Sequence, residues 1–122
     1  MYERRTARGL AAPYDTMLAA YAAALAGSPL AASSRASYLR RVGRYLTWVA
    51  SASAQGLLAR EPLADTIVAV RTAHAYHGEL GGRYAPSTIN STLAAIEDFY
   101  DRLHLGATGI PRRAPADRAG AR

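Results

Sequence analysis

The chain has no cysteine and no lysine, and it contains one tryptophan and one phenylalanine. Without cysteine there are no disulfides and no thiolate nucleophile, and a zinc site would have to rely on histidine and carboxylate ligands. No apolar run approaches the ~20 residues that a membrane span needs. The longest, near positions 18–26, is short and interrupted by Tyr21. The N-terminus lacks a charged region followed by a signal core. No stretch alternates apolar and polar residues as a half-buried strand would. Glycine-rich phosphate loops and Ser/His/Asp sets are also absent. These absences predict a soluble cytoplasmic domain that makes no membrane contact, needs no cofactor and holds no metal.

What remains is helix-forming and basic. A length of 122 residues suits a single core. Half of the residues are hydrophobic, and alanine is the commonest of them. Alanine favours helix but fills little volume, so the core must come from Leu, Val, Ile, Tyr and the tryptophan. Fifteen basic residues face nine acidic ones, for a net charge of +6. All fifteen are arginine, a usage that a GC-rich genome also produces. The guanidinium fork nevertheless suits phosphates and guanine edges, and a pI near 10.2 predicts attraction to polyanions.

The spacing predicts four helices. Positions 1–12 read as a flexible basic arm. Pro13 opens the first helix, with Tyr14, Met17, Leu18, Tyr21 and Leu25 on one stripe, and Gly27 and Pro29 close it. Ser33 or Ser34 caps the second helix. Its core stripe is Tyr38, Val42, Tyr45, Leu46 and Val49, and it fades over positions 51–56. Asp65 caps the third, with Ile67, Val70, His74, His77 and Leu80 on one side, and Gly81 and Gly82 end it. Pro86 opens the fourth, with Ile89, Leu93, Ile96, Phe99 or Tyr100, and Leu103. The helical domain therefore spans 13–105, and 106–122 reads as a linker or tail. The expected fold is all-α, a compact four-helix bundle.

Charge placement carries the functional signal. Ser37, Arg40, Arg41 and Arg44 fall at i, i+3, i+4 and i+7, which puts them on one face opposite the Val42/Tyr45/Val49 stripe. Arg35 stands in the first turn beside Ser34. No acidic residue lies between positions 30 and 60 to relieve this repulsion, and a face that needed only solubility would intersperse Glu. The fourth helix begins with Ser87, Thr88, Asn90 and Ser91. These are short hydrogen-bonding side chains at a helix N-terminus, where free amides and the dipole attract phosphate and Asn pairs well with adenine. The same residues also suit a plain helix cap. Glu97, Asp98 and Asp101 lie further along and face away from a polyanion. Tyr84, beside Arg83, is placed to touch a nucleic-acid backbone.

Two strings carry a resemblance. The first runs from Leu30 to Tyr38 (LAASSRASY) and continues to Tyr45, Leu46, Thr47 and Trp48. The second runs from Pro86 to Tyr100 (PSTINSTLAAIEDFY). In this order, about 50 residues apart and followed by Ile110, Pro111, Arg112 and Arg113, they resemble the N-terminal core-binding domain of the tyrosine recombinase (phage integrase) family, over roughly residues 13–110. The resemblance implies a SAM-like fold of two crossed helical hairpins. It also implies a half-clamp on double-stranded DNA, with the second and fourth helices against the major groove. Carried over by position, Ser34, Arg35, Ser37, Arg41 and Arg44 would contact DNA from the second helix. Ser87, Thr88 and Ser91, with Asn90 beside them, would do so from the fourth. The family often has a basic residue where Ser87 stands, which weakens readout there.

The family's catalytic half carries two arginines, a His-x-x-Arg element and a C-terminal tyrosine nucleophile. No His-x-x-Arg occurs here, so the chain is expected to be a non-enzymatic DNA-binding part, either excised from a longer recombinase, the favoured reading, or a standalone module. Its expected partners are that parent's catalytic domain and other recombinase protomers. In the family, assembly often uses the first helix, whose alanine-rich face at 19–26 would serve. Tyr14, Tyr21, Tyr38 and Tyr45 sit on apolar stripes and lack the arginines and general acid that a nucleophile needs. His74 and His77 share a helix face without a third ligand. Two other readings stay open. One is a helix-turn-helix regulator, for which the stretch from Gly81 to Ser87 is somewhat long, and the other is a helical protein-interaction module.

Overall fold

The computed structural model describes residues 9–112. Most of the expected basic arm, and the tail from Arg113 onward, lie outside the described residues. Those described form four helices and no strand: α1 (Tyr14–Ala26), α2 (Ala32–Ala54), α3 (Thr66–Gly81) and α4 (Pro86–Arg102). No described helix is long and apolar enough to cross a membrane.

Local chemistry sets the boundaries. Pro13 precedes α1, and Gly27 closes it with its amide on the Ala24 carbonyl, while the Ser28 amide takes that of Leu25. Asp65 caps α3 through Oδ1, which accepts the Val68 amide at 3.0 Å. Pro86 occupies the first position of α4, where its missing N–H costs nothing. The expected serine cap on α2 is not there. Ala31, in extended backbone, precedes the helix and supplies no side-chain acceptor. The helix therefore starts one residue ahead of Ser33, because Ala32 continues it at no propensity cost and leaves both serines inside the first turn.

The largest contact is between α2 and α4, with α1 packed mainly on α2 and α3 mainly on α4. Val42, Tyr45, Leu46 and Val49 of α2 meet Leu93, Ile96, Phe99 and Tyr100 of α4, all fully buried. Phe99 and Tyr100, expected as alternatives, are both in the core. The stripe expected on α3 is out of phase except at Leu80. Its buried residues are Ala69, Thr72, Ala73, Tyr76 and Leu80, while Ile67 remains 67% exposed. Small alanines let α3 approach closely, and that packing outweighs the bulk of the isoleucine.

Two tyrosine hydroxyls join three helices inside this core. The Tyr100 hydroxyl donates to the Ala69 carbonyl of α3 at 2.6 Å. Its proton is then committed, so the Tyr45 hydroxyl of α2 must donate to the Tyr100 oxygen, also at 2.6 Å. Burial pushes both phenols up, Tyr100 to about 12 and Tyr45 further. Tyr21 ties α1 to α4, stacking edge-on against Phe99 at 5.3 Å and donating to Asp98 Oδ2 at 2.6 Å. Arg102 donates to the same oxygen at 2.9 Å.

The chain after α4 lies on the bundle. Thr108 and Ile110 are buried, and the Thr108 carbonyl pairs with His74 Nε2 at 2.7 Å. Arg112 and the Thr108 hydroxyl both donate to Glu97. Gly106, with φ +102°, passes so close to α3 that a Cβ there would stand 2.5 Å from Thr66 Cγ2. His74 thus has a packing role, and among the described residues no group of three potential ligands could hold a metal.

The tyrosine relay yields two expected outcomes. Tyr100→Phe strands the buried Tyr45 hydroxyl without its acceptor and should cost roughly 2 kcal/mol, whereas Tyr45→Phe should cost about 1. Urea unfolding should show the double variant losing less than the sum of the two. Because both phenols titrate higher folded than unfolded, their contribution is complete below pH ~10 and declines as pH rises towards the folded value. A melting temperature that stays flat from pH 9 to 11 would show that this relay does not stabilise the fold.

Candidate nucleic-acid interface

Among residues 9–112, nine arginines face seven carboxylates, so the described part carries only +2 of the chain's +6. Its basicity is local. Arg83, Arg102 and Arg112 are paired with Glu79, Asp98 and Glu97. Four others, Arg35, Arg40, Arg41 and Arg44, stand on α2, which has no acidic residue at all. Among the described residues no carboxylate pairs with any of these four. An unpaired cluster of this kind projects a positive field from one side of an otherwise near-neutral body.

The fold divides the arginines. Ser37, Arg41 and Arg44 form one line along α2 that continues to Trp48, bordering α3 and α4. Arg40 is exposed and turned further outward. Arg35 does not share their face. It stands seven residues before the buried Val42, on the core side, and its guanidinium donates to the Leu30 carbonyl in the preceding turn. Ser34 and Ser37 are half-buried.

Arg41 crosses between helices, donating through Nη1 to Thr92 Oγ1 of α4 at 3.0 Å. This one bond spends one of five guanidinium donors and holds the rest at the mouth of the α2–α4 groove. Arg41, Arg44, Thr88 and Thr92 line a small cavity there, with Tyr76 and Leu80 of α3, Tyr84 and Ile89 completing its wall. Burial raises the Tyr76 phenol above its ordinary value and nearby Tyr84 adds to the rise, while Arg44 and Arg41 pull the other way.

On α4 the polar first turn splits between two faces. Thr88 and Thr92, four residues apart, face the groove. Ser87 and Ser91 are exposed on the outer side, and Asn90 is half-buried. No side chain caps the helix, so its positive dipole end has no carboxylate to offset it. Arg83 is held by Glu79 at 3.1 Å across two exposed side chains, a pair of little strength. Of the expected acidic end of α4, Glu97 and Asp98 are engaged inside the fold and only Asp101 is exposed.

The groove thus gathers Arg41, Arg44, Thr88 and Tyr84 from the residues expected on sequence. It adds Thr92 and Tyr76, which sequence reasoning missed. Thr92 was detectable as the i+4 partner of Thr88. Tyr76 would have emerged from phasing α3 on its alanines rather than on Ile67 and Val70. The chain matches no known family model, no characterised protein and no solved structure.

The hydrogen bond from Arg41 to Thr92 can be tested directly. Thr92→Val removes the acceptor at constant shape and should change the unfolding free energy by less than ~1 kcal/mol. The order parameter of the Arg41 Nε–H should fall on the picosecond–nanosecond timescale. An unchanged order parameter would show that Thr92 does not position Arg41.

Proposed function

We propose that the chain binds duplex DNA through α2 and the start of α4. The observation that carries this reading is the groove in which Arg41 and Arg44, free of carboxylates among the described residues, face hydroxyl side chains from the uncapped N-terminal turn of α4. Arg40, Arg41 and Arg44 supply the phosphate contacts, and with them the affinity and its salt dependence. Ser37 on α2 and Ser87, Asn90 and Ser91 on α4 supply what base reading there is. Arg35 and Arg83 contribute less, since each is engaged within the fold.

On the resemblance of its two helical strings, we further propose the role of core-binding domain in a site-specific tyrosine recombinase. In that role the domain targets DNA that a separate catalytic domain cuts and rejoins. The alternative of a helix-turn-helix regulator gains from the connection between α3 and α4, which is only residues 82–85. A turn of that length, with glycine in it, suits such a motif. It would make α4 the recognition helix and would require a homodimer on two half-sites.

Fluorescence anisotropy with a labelled random-sequence duplex, at several salt concentrations, tests the reading. Three phosphates neutralised by α2 give a log–log salt slope of about −3, and Arg41→Ala/Arg44→Ala should flatten it by about 2 units. Binding absent even at low salt, or a double variant that binds as wild type does, would remove DNA from α2. Sizing the free protein separates the two DNA-binding roles, because a stable dimer belongs to the helix-turn-helix alternative.

A further inference from the structure

Two buried tyrosines, Tyr14 and Tyr76, have hydroxyls that make no hydrogen bond among the described residues, and of the two it is Tyr76 that borders the arginine groove. Tyr76 is only 8% exposed, whereas Tyr21, Tyr45 and Tyr100 each donate a hydrogen bond. Buried hydroxyls are almost always paired with protein or ordered water, and one at the edge of an open cavity is available to a partner from outside the chain. Tyr76 borders the groove cavity, and Arg41 and Arg44 are close enough to act on its phenol. Glu79, the carboxylate that also acts on it, is held by Arg83.

The cavity measures about 40 Å³. A single water needs roughly 10–15 Å³ of such space, so the notch takes a few waters or one small tetrahedral group and excludes a nucleobase. Its polar lining is rich in donors. Arg41 keeps free N–H groups beyond the one given to Thr92, and Arg44 has no carboxylate partner among the described residues. The hydroxyls of Tyr84 and Thr88 are likewise uncommitted there. Two positive charges, one of them immobilised, together with three hydroxyls select an anion with several acceptor oxygens.

We propose that this notch is a site for a single phosphate group, held by Arg41, Arg44 and the hydroxyls of Tyr76, Tyr84 and Thr88. Its source rests on the DNA reading: the occupant is one backbone phosphodiester, which sets the register of the duplex on the domain. The outer arginine, Arg40, then adds affinity without register.

Tyr76→Phe is the discriminating variant, since it removes no hydrogen bond within the fold and should leave the melting temperature unchanged or higher. Inorganic phosphate, titrated against chloride at constant ionic strength, should give saturable shifts of the Arg41 and Arg44 Nε–H resonances. In Tyr76→Phe that affinity should fall about tenfold, the scale of one hydrogen bond to a charged group. Equal affinity in the variant, or equal shifts at every arginine, overturns the proposal. A set of duplexes, each with one methylphosphonate, completes the test. One position should cost wild type about tenfold and Tyr76→Phe far less, as one lost charged contact predicts. Duplex binding in which every phosphate counts alike overturns the notch and leaves DNA binding standing. Saturable phosphate binding without duplex binding upholds the notch and removes DNA as its source.

Discussion

The fold depends on the junction where α2, α3 and α4 meet around two tyrosine hydroxyls. Tyr45 donates to Tyr100, and Tyr100 donates to the Ala69 carbonyl. Each bond is directional and buried, so it fixes the rotation of its helix as well as its distance. Purely apolar contacts among Val42, Leu46, Leu93 and Ile96 would tolerate small rotations, because hydrophobic burial has no preferred direction. With α2 and α4 locked at this point, Arg41 comes within reach of Thr92, and the arginine line of α2 faces the first turn of α4. The tilted stacking of Tyr76 against Tyr45 and Trp48 carries the same constraint into the wall of the groove.

The two ends of α4 take opposite roles. Its acidic C-terminal half is engaged by the fold itself, Asp98 by Tyr21 and Arg102, and Glu97 by Thr108 and Arg112. Its N-terminal turn has no side-chain cap and faces the arginines of α2. Charge in this bundle is therefore segregated. Glu97 and Asp98 stabilise contacts among α1, α4 and the segment that follows, while the basic groups of α2 meet no carboxylate among the described residues. Such segregation costs stability through arginine repulsion at i+3 and i+4, which any bound anion would relieve.

Much of this organisation was legible in the chain. Helix number, the proline and glycine boundaries, the Asp65 cap and the stripes of α2 and α4 all follow from local rules, because each depends on residues within a turn or two of one another. The arginine face was legible for the same reason, as spacing along one helix. The reading failed where a decision involved a second element. Ser33 and Ser34 looked like caps, but where the helix starts depended on how the chain leaves the preceding turn. Arg35, grouped by resemblance with Arg41 and Arg44, lies over the core side and bonds to Leu30. On α3, residue bulk suggested Ile67 and Val70 as the inner face, although small Ala69 and Ala73 are what permit close approach to the neighbouring helix.

The sequence by itself determined an all-helical chain with a basic second helix and a polar start to the fourth, since propensity, capping and charge spacing are short-range properties. Only the tertiary structure decided which hydroxyls meet which arginines. Thr92 and Tyr76 belong to helices far from Arg41 in the chain, and their meeting depends on the rotation of α3 and α4 about their own axes. That rotation is set by side-chain volume and by two buried hydrogen bonds, neither of which a periodic pattern encodes.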